Sequence, residues 1–163
     1  MNSLVSQAPV TQTRPFIRKI VVAVDLTARS LATAEYAVAV AKAFGASLIF
    51  VYVHPTESMF NFVTDGGYSL IDREQCNPRH ALTSLTDTVS KDYPFCSQTF
   101  MIGDPAEGVV SYAQEIDADL IIAASHHPSF LASAFHLDQA PKMMRQATCP
   151  VLVYQAEEGP GER

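Results

Sequence analysis

The fold is decided between residues 20 and 53, which read IVVAVDLTARSLATAEYAVAVAKAFGASLIFVYV. Two short apolar runs, residues 20–24 and 48–53, are typical of strands buried on both faces of a parallel sheet. The residues between them carry an apolar stripe at helical spacing, formed by Leu31, Ala34, Val38 and Ala41. We expect Ser30 to cap this helix and Gly45 to end it. A strand, a helix and a second strand in this order indicate a right-handed parallel crossover.

The same alternation continues along the chain. Asn77 followed by Pro78 marks a helix start, and Asp104-Pro105-Ala106-Glu107 has the pattern of a capping box with proline at the first helical position. Three further strands are predicted at residues 99–102, 120–124 and 151–154, and Asp138 is expected to cap a last helix that runs through Gln146. Strands and helices that alternate throughout indicate a parallel sheet with helices on both faces.

The boundaries of the domain follow from composition. Residues 1–14 are polar and aperiodic and predict a flexible N-terminal segment, residues 15–155 form one folded domain, and residues 156–163 form a flexible tail. Residues 54–76 are the least regular internal stretch. Since long loops are often functional or mobile, we expect this stretch to be the most flexible internal segment.

Charge and cysteine content exclude several classes of partner. The 163-residue chain has a formal net charge of −6, so it is a poor electrostatic partner for nucleic acid or an anionic membrane. It shows neither a signal-peptide pattern nor an apolar stretch near the roughly 20 residues of a membrane span, and we expect a cytoplasmic protein. The three cysteines, Cys76, Cys96 and Cys149, match no metal pattern. We expect all three to be reduced thiols, with Cys149 largely buried.

Other site chemistries are not supported. His54, His126, His127 and His136 have no carboxylate or thiolate at ligand spacing beside them, so no metal site is expected. The chain lacks a Gly-x-Ser-x-Gly elbow and a Gly-x-x-x-x-Gly-Lys-(Ser/Thr) phosphate loop. We therefore expect no catalytic residues and no enzymatic activity.

From residue 18 to residue 154 the chain resembles the universal stress protein family. Four stretches carry the resemblance. The run that ends at Asp25, with the Ser/Ala-rich helix after it, is similar to the family's first strand and helix. The other three are Gly103-Asp104-Pro105-Ala106, Ala118-Asp119-Leu120-Ile121-Ile122 and Ala147-Thr148-Cys149-Pro150-Val151-Leu152-Val153. Each stretch is weak alone, but their order and spacing are specific.

The resemblance implies a fold and a site. It implies a single five-stranded parallel sheet of order 3-2-1-4-5, with helices on both faces, of the adenine nucleotide alpha-hydrolase-like class. Ligands of such sheets bind at the switch point, here between the first and fourth strands. Asp25 falls on the family's ribose-binding aspartate, and Val53 on the position whose backbone meets adenine. The candidate nucleotide cleft comprises Asp25, Val53, Ala124, Ser125, His126 and His127. A turn aspartate and a buried strand valine are the structural alternatives for Asp25 and Val53.

The phosphate loop departs from the family pattern. ATP-binding members carry Gly-x-x-Gly, nine residues and then Gly-(Ser/Thr) after the fourth strand, which lets backbone N–H groups reach the phosphates. Counted back from Cys149-Pro150, these four positions are occupied by Ala124, His127, Leu137 and Asp138. None of the four matches, so the phosphate-binding roles do not carry over.

The resemblance and its departure suggest two functions. The first is a non-catalytic stress-response module that forms a homodimer through the C-terminal strand and acts through other, unknown protein partners, with no cofactor. The alternative is a sensor that binds an adenine nucleotide, either AMP or adenosine, or ATP weakly, in the switch-point cleft.

Overall fold

The computed structural model describes residues 16–27, 29–56, 77–124 and 139–155. In this part of the chain, strands and helices alternate. The strands are β1 (Lys19–Ala23), β2 (Ser47–His54), β3 (Cys96–Ile102), β4 (Leu120–Ala124) and β5 (Val151–Tyr154). The helices are α1 (Ser30–Phe44), α2 (Pro78–Ser90), α3 (Pro105–Glu115) and α4 (Gln139–Gln146).

The strands form one parallel sheet of order β3-β2-β1-β4-β5, which confirms the predicted order. β1 is central and pairs with β2 on one side and β4 on the other. Ala23, its last residue, is level with Val51 and with Ala123. The chain reverses its direction across the sheet between β1 and β4, so the switch point lies there.

An apolar core fills each side of the sheet. On the side of α1 and α2 the fully buried side chains include Ile20, Val22, Leu48, Phe50 and Leu82. On the side of α3 and α4 they include Val21, Val51 and Ile121, with Val109 and Met143 packed against them. Successive strand residues point to opposite faces, and both faces are covered. This is why the strands are continuous apolar runs.

Three of the predicted helix ends are confirmed. The Asn77 side chain accepts a 3.0 Å hydrogen bond from the backbone N–H of Arg79 at the start of α2. Asp104 accepts a 2.9 Å hydrogen bond from the N–H of Glu107 at the start of α3. α1 ends at Gly45, whose φ of +68° favours a residue without a Cβ.

The prediction that Ser30 caps α1 is wrong. Arg29 occupies the N-cap position, and no side chain makes a capping hydrogen bond there. Ser30 is the first helical residue instead, and its hydroxyl donates to Asp25. The helix begins one residue earlier than predicted, so Ser30 lies at its first position and its hydroxyl is oriented toward the Asp25 carboxylate rather than toward a backbone N–H of the first turn.

Other differences from the predictions concern the surface. β3 begins at Cys96, three residues before the predicted start. The prediction missed these residues because Ser97 and Gln98 are polar and exposed, as an edge strand permits. Leu31 was predicted in the buried stripe of α1 but is 40% exposed. Cys149 is half-buried rather than largely buried, since it lies in the turn just before the short edge strand β5.

A carboxylate ties the amino ends of β1 and β4 together. Asp119 accepts hydrogen bonds from the backbone N–H groups of Arg18 (2.8 Å) and Lys19 (3.0 Å). These two bonds, the largest influence on it, lower the pKa of Asp119. The contact lies at the amino ends of the strands, whereas the switch-point cleft lies at their carboxyl ends, so its role is structural.

Among the described residues, no helix is long and apolar enough to cross a membrane. The predicted cap Asp138, Cys76 and all but the first three residues of the irregular stretch 54–76 lie outside the described ranges.

Candidate functional site

The site is built where the chain leaves the carboxyl ends of β1 and β2. Asp25 lies two residues beyond Ala23, and Val53 lies two residues beyond Val51, which is the partner of Ala23 in the sheet. The backbone N–H of Val24 donates to the carbonyl of Val51 at 3.0 Å, so the two strands remain tied together up to the site. The residue assigned to ribose therefore follows the carboxyl end of β1, and the residue assigned to adenine lies near the carboxyl end of the adjacent strand β2.

The carboxylate of Asp25 is held by the loop that follows it. Its Oδ1 accepts three hydrogen bonds, from the Thr27 backbone N–H (3.0 Å), the Thr27 hydroxyl (2.8 Å) and the Ser30 hydroxyl (2.8 Å). Leu26 between them has a φ of +59°, which is rare for a residue with a side chain. The strained backbone conformation of Leu26 lets the loop close around the carboxylate.

A tyrosine hydroxyl lies within the electrostatic reach of Asp25. Burial raises the pKa of Tyr52, and the negative charge of Asp25 raises it further. The Tyr52 hydroxyl therefore stays protonated at neutral pH. It makes a 3.2 Å hydrogen bond with Nδ1 of His54, two residues along the same face of β2. This pair was not predicted, because an aromatic residue in an apolar run is typical of a strand core.

The pair belongs to an aromatic cluster that extends to α2. The ring centroid of Phe100 on β3 lies 5.6 Å from that of Tyr52 and 6.3 Å from that of His54. The Arg79 guanidinium lies 3.9 Å from the Phe100 ring centroid, a cation–π contact. The cluster thus links the start of α2 to the wall of the cleft. Arg79, Phe100 and the Tyr52–His54 pair are far apart in the chain, so neither period nor motif could predict the cluster.

Val53 turns its side chain away from this cluster. The side chain is 5% exposed and packs on α3, where a Cβ built on Gly108 would lie only 2.9 Å from Val53 Cγ2. Because the side chain is committed to the core, only the backbone of Val53 remains for a ligand. One residue later, the His54 carbonyl accepts a 3.0 Å hydrogen bond from the N–H of Gly103, which joins β2 to the turn before α3.

A polar contact joins the start of α3 to the start of α4, at the carboxyl ends of the strands. The Lys142 ammonium lies 2.9 Å from Oδ2 of Asp104 and 3.1 Å from Oε1 of Glu107. The Gln139 side-chain oxygen accepts a 2.9 Å hydrogen bond from the N–H of Ala106. Desolvation opposes ionisation of Asp104, but hydrogen bonds from Glu107, Lys142 and Ala106 outweigh it and lower the pKa of Asp104.

The structure brings together only part of the predicted cleft. Asp25 lies just beyond the end of β1, Val53 lies on the adjacent strand β2, and half-buried Ala124 ends β4, level with Tyr154. Ser125, His126 and His127 lie outside the described ranges, so their assignment to the cleft stays a prediction. Within the described ranges, no group of three or more His, Cys, Asp or Glu residues could hold a metal ion.

The chain is similar to known proteins over most of its length. The family model described as "Universal stress protein family" matches residues 17–155. A universal stress protein of Methanocaldococcus jannaschii is 26% identical over 137 residues, which are 83% of this chain and 81% of that protein.

Two solved structures share the fold. A universal stress protein in complex with cAMP has a TM-score of 0.64 and 20% identity, over 86% of this chain and 98% of that one. The universal stress protein of Archaeoglobus fulgidus in complex with dAMP has a TM-score of 0.59 and 20% identity, over 85% and 98%. The predicted adenine nucleotide alpha-hydrolase-like fold is confirmed.

Proposed function

This chain belongs to the universal stress protein family, and from that membership we propose that it is a non-catalytic stress-response protein whose switch-point cleft binds adenosine or AMP in preference to ATP. The observation that carries the proposal is the Asp25 carboxylate, held at the carboxyl end of β1 by Thr27 and Ser30. A carboxylate is a good acceptor for two neighbouring ribose hydroxyls. The backbone at Val53, on the adjacent strand, lies level with it and would meet the base.

A ligand with one phosphate or none suits this cleft better than a triphosphate. The two similar structures described above hold cAMP and dAMP, each with one phosphate. The glycines that would bring backbone N–H groups to further phosphates are replaced by Ala124, His127 and Leu137, and Asp138 replaces the hydroxyl residue. Each replacement adds a side chain or a negative charge where phosphate would lie.

Binding without chemistry is supported by what the site hydroxyls do. Both the Thr27 and the Ser30 hydroxyls donate to a carboxylate that is itself anchored by the backbone N–H of Thr27. In this arrangement the hydroxyls orient the acceptor.

A second candidate function is a module that acts without nucleotide, through a homodimer and other protein partners. The observation that favours it is β5, an edge strand whose Val153 is 38% exposed. Bare apolar edges are normally paired or covered. In this proposal β5 pairs with a second copy of the chain. The thiols Cys96 and Cys149 are free, which supports action in the reducing cytoplasm.

Thermal unfolding measured with and without nucleotides distinguishes the two candidate functions. Adenosine or AMP at a hundred times its Kd should stabilise the native state by about 2.7 kcal/mol. Asp25→Asn should remove this stabilisation, whereas Asp92→Asn should retain it because Asp92 pairs with Lys42 in an exposed contact, remote from the cleft. If neither adenosine nor AMP shifts the transition, the cleft does not bind nucleoside and the second candidate stands alone.

A further inference from the structure

Two titratable side chains near the carboxyl end of β2 are joined by a hydrogen bond, and we call them the Tyr52–His54 pair. The Tyr52 hydroxyl lies 3.2 Å from Nδ1 of His54. The two residues are separated by one strand position, so their side chains lie on the same face of the sheet. The Phe100 ring packs beside both, with centroid distances of 5.6 Å and 6.3 Å, and holds the pair in place.

The charged groups around the pair come from the loop after β1 and from the helices packed on this face. Burial is the larger cause of the raised pKa of Tyr52, and the negative charge of Asp25 adds to it, so Asp25 acts on the same hydroxyl. The Arg79 guanidinium of α2 lies on Phe100 of β3, which is itself uncharged. The other charged or titratable side chains at the starts of these helices are Arg29 before α1 and exposed His80 on α2. Among the described residues of these elements, Asp25 therefore supplies the negative charge that acts on the pair.

The direction of the hydrogen bond within the pair depends on the charge of His54. Because Tyr52 keeps its proton at neutral pH, its hydroxyl donates to Nδ1 when the imidazole is neutral and carries its own proton on Nε2. Imidazole is the side chain that commonly gains a proton between about pH 8 and about pH 5. When Nδ1 takes a proton from solvent it becomes a donor, so the Tyr52 oxygen must accept and its O–H bond rotates away from His54. No bond between heavy atoms forms or breaks in this step.

The reversed hydrogen bond changes the strength of Asp25 as an acceptor. Its carboxylate attracts a Tyr52 O–H that has turned away from His54, and the imidazolium charge offsets part of the negative charge of the carboxylate. A carboxylate that is more strongly engaged by the protein accepts less strongly from ribose hydroxyls. We propose that the Tyr52–His54 pair makes adenosine binding at Asp25 sensitive to pH, with weaker binding when His54 is protonated. The inference rests on the proposed function, because it requires that the cleft bind a nucleoside.

The test is calorimetric titration of adenosine between about pH 8 and about pH 5. The affinity of the unmodified protein should fall by about three- to tenfold across this range, as expected when one hydrogen bond to a charged group changes. In His54→Asn an amide oxygen can accept from Tyr52 but does not titrate, so the affinity should stay near its value at the higher pH. Tyr52→Phe removes the hydroxyl that carries the effect and should also flatten the pH profile. His80→Asn is the matched control, because His80 is exposed on α2, and it should retain the full pH dependence.

A second measurement uses the unmodified protein and decides the matter even if a substitution prevents folding. Binding and protonation are reciprocally linked, so adenosine should move the titration of the His54 ring signals, followed by NMR, to lower pH. Adenosine affinity that is constant over the pH range, or a His54 titration that adenosine does not move, would overturn the inference and leave the proposed function standing. A full pH dependence in Tyr52→Phe would overturn the role of the Tyr52 hydroxyl. Failure of adenosine to bind at any pH would overturn the proposed function and this inference with it.

Discussion

The Ser30 hydroxyl donates a 2.8 Å hydrogen bond to Oδ1 of Asp25, which ties the first residue of α1 to the loop that follows β1. Ser30 is 4% exposed, so the bond is largely shielded from water. A hydroxyl that would normally cap its own helix instead orients the carboxylate of the candidate cleft. The relationship connects the stability of the fold to the function proposed for the site.

Replacing the Ser30 hydroxyl should affect both the stability of the fold and the binding of adenosine. Ser30→Ala should lower the free energy of unfolding by about 1–2 kcal/mol, because it removes a shielded hydrogen bond to a charged acceptor. The same change should weaken adenosine binding, since Asp25 loses one of its anchors. Urea unfolding and calorimetry measure the two effects. Ser111→Ala on the exposed face of α3 is the control, and equal behaviour of the two variants would contradict the assignment.

The packing of Val53 on α3 allows a test by a single methyl group. A Cβ at Gly108 would lie 2.9 Å from Cγ2 and 3.1 Å from Cγ1 of Val53. Gly108→Ala gains about 1 kcal/mol in helix propensity but overfills the core, and we expect a net loss of stability of about 1 kcal/mol. In a Val53→Ala background the same change should stabilise. A stabilising Gly108→Ala in the unmodified chain would show that α3 can move away from β2.

The Asp119 contact predicts an acid-sensitive contribution to stability. Hydrogen bonds from the Arg18 and Lys19 N–H groups lower the pKa of Asp119 in the folded state. Its contribution is therefore complete above the unfolded pKa of about 3.9 and is lost as the pH falls through the lower folded value. Asp119→Asn should reduce the free energy of unfolding at neutral pH, with the difference shrinking in acid. A difference that is constant from pH 7 to strongly acidic solution would contradict this.

The exposed edge of β5 predicts a dimer formed by antiparallel pairing of the last strands. Val153 is 38% exposed there, and the neighbouring Tyr154 stacks on Tyr36 of α1 with ring centroids 4.3 Å apart. Val153→Asp should convert the dimer to a monomer at micromolar concentration, as sedimentation velocity would show. Ile102→Asp, on the opposite edge strand, should not. A monomeric unmodified protein would rule out this interface.

Much of the fold could be predicted from local patterns. The bounds of β4 and β5 agree with the structure because each is a continuous apolar run between clear breaks. The first half of β3 was missed because Ser97 and Gln98 are polar, as an exposed edge strand permits. Helix starts at Asn77 and Asp104 were predicted because the capping interaction is local.

The site was less predictable, because its contacts join distant parts of the chain. Asp25 was identified by its place after β1. The Ser30 hydroxyl was assigned to a cap, because the exact start of α1 and the orientation of this side chain depend on the conformation of the preceding loop. The contact between Arg79 and Phe100 requires α2 to lie beside β3. Only the assembled sheet reveals such a relationship.

Calorimetric titration with adenosine, AMP and ATP tests whether this cleft binds adenosine or AMP in preference to ATP. If Asp138 stands about 5 Å from a phosphate at an effective dielectric of about 20, the two charges repel by about 3 kcal/mol, and half of that weakens affinity about tenfold. We predict that adenosine and AMP bind, that ATP binds at least about tenfold more weakly than AMP, and that a Leu137→Gly, Asp138→Ser variant narrows the gap. If ATP binds the unmodified protein as tightly as AMP does, the cleft has no preference for AMP over ATP and the proposed preference is wrong.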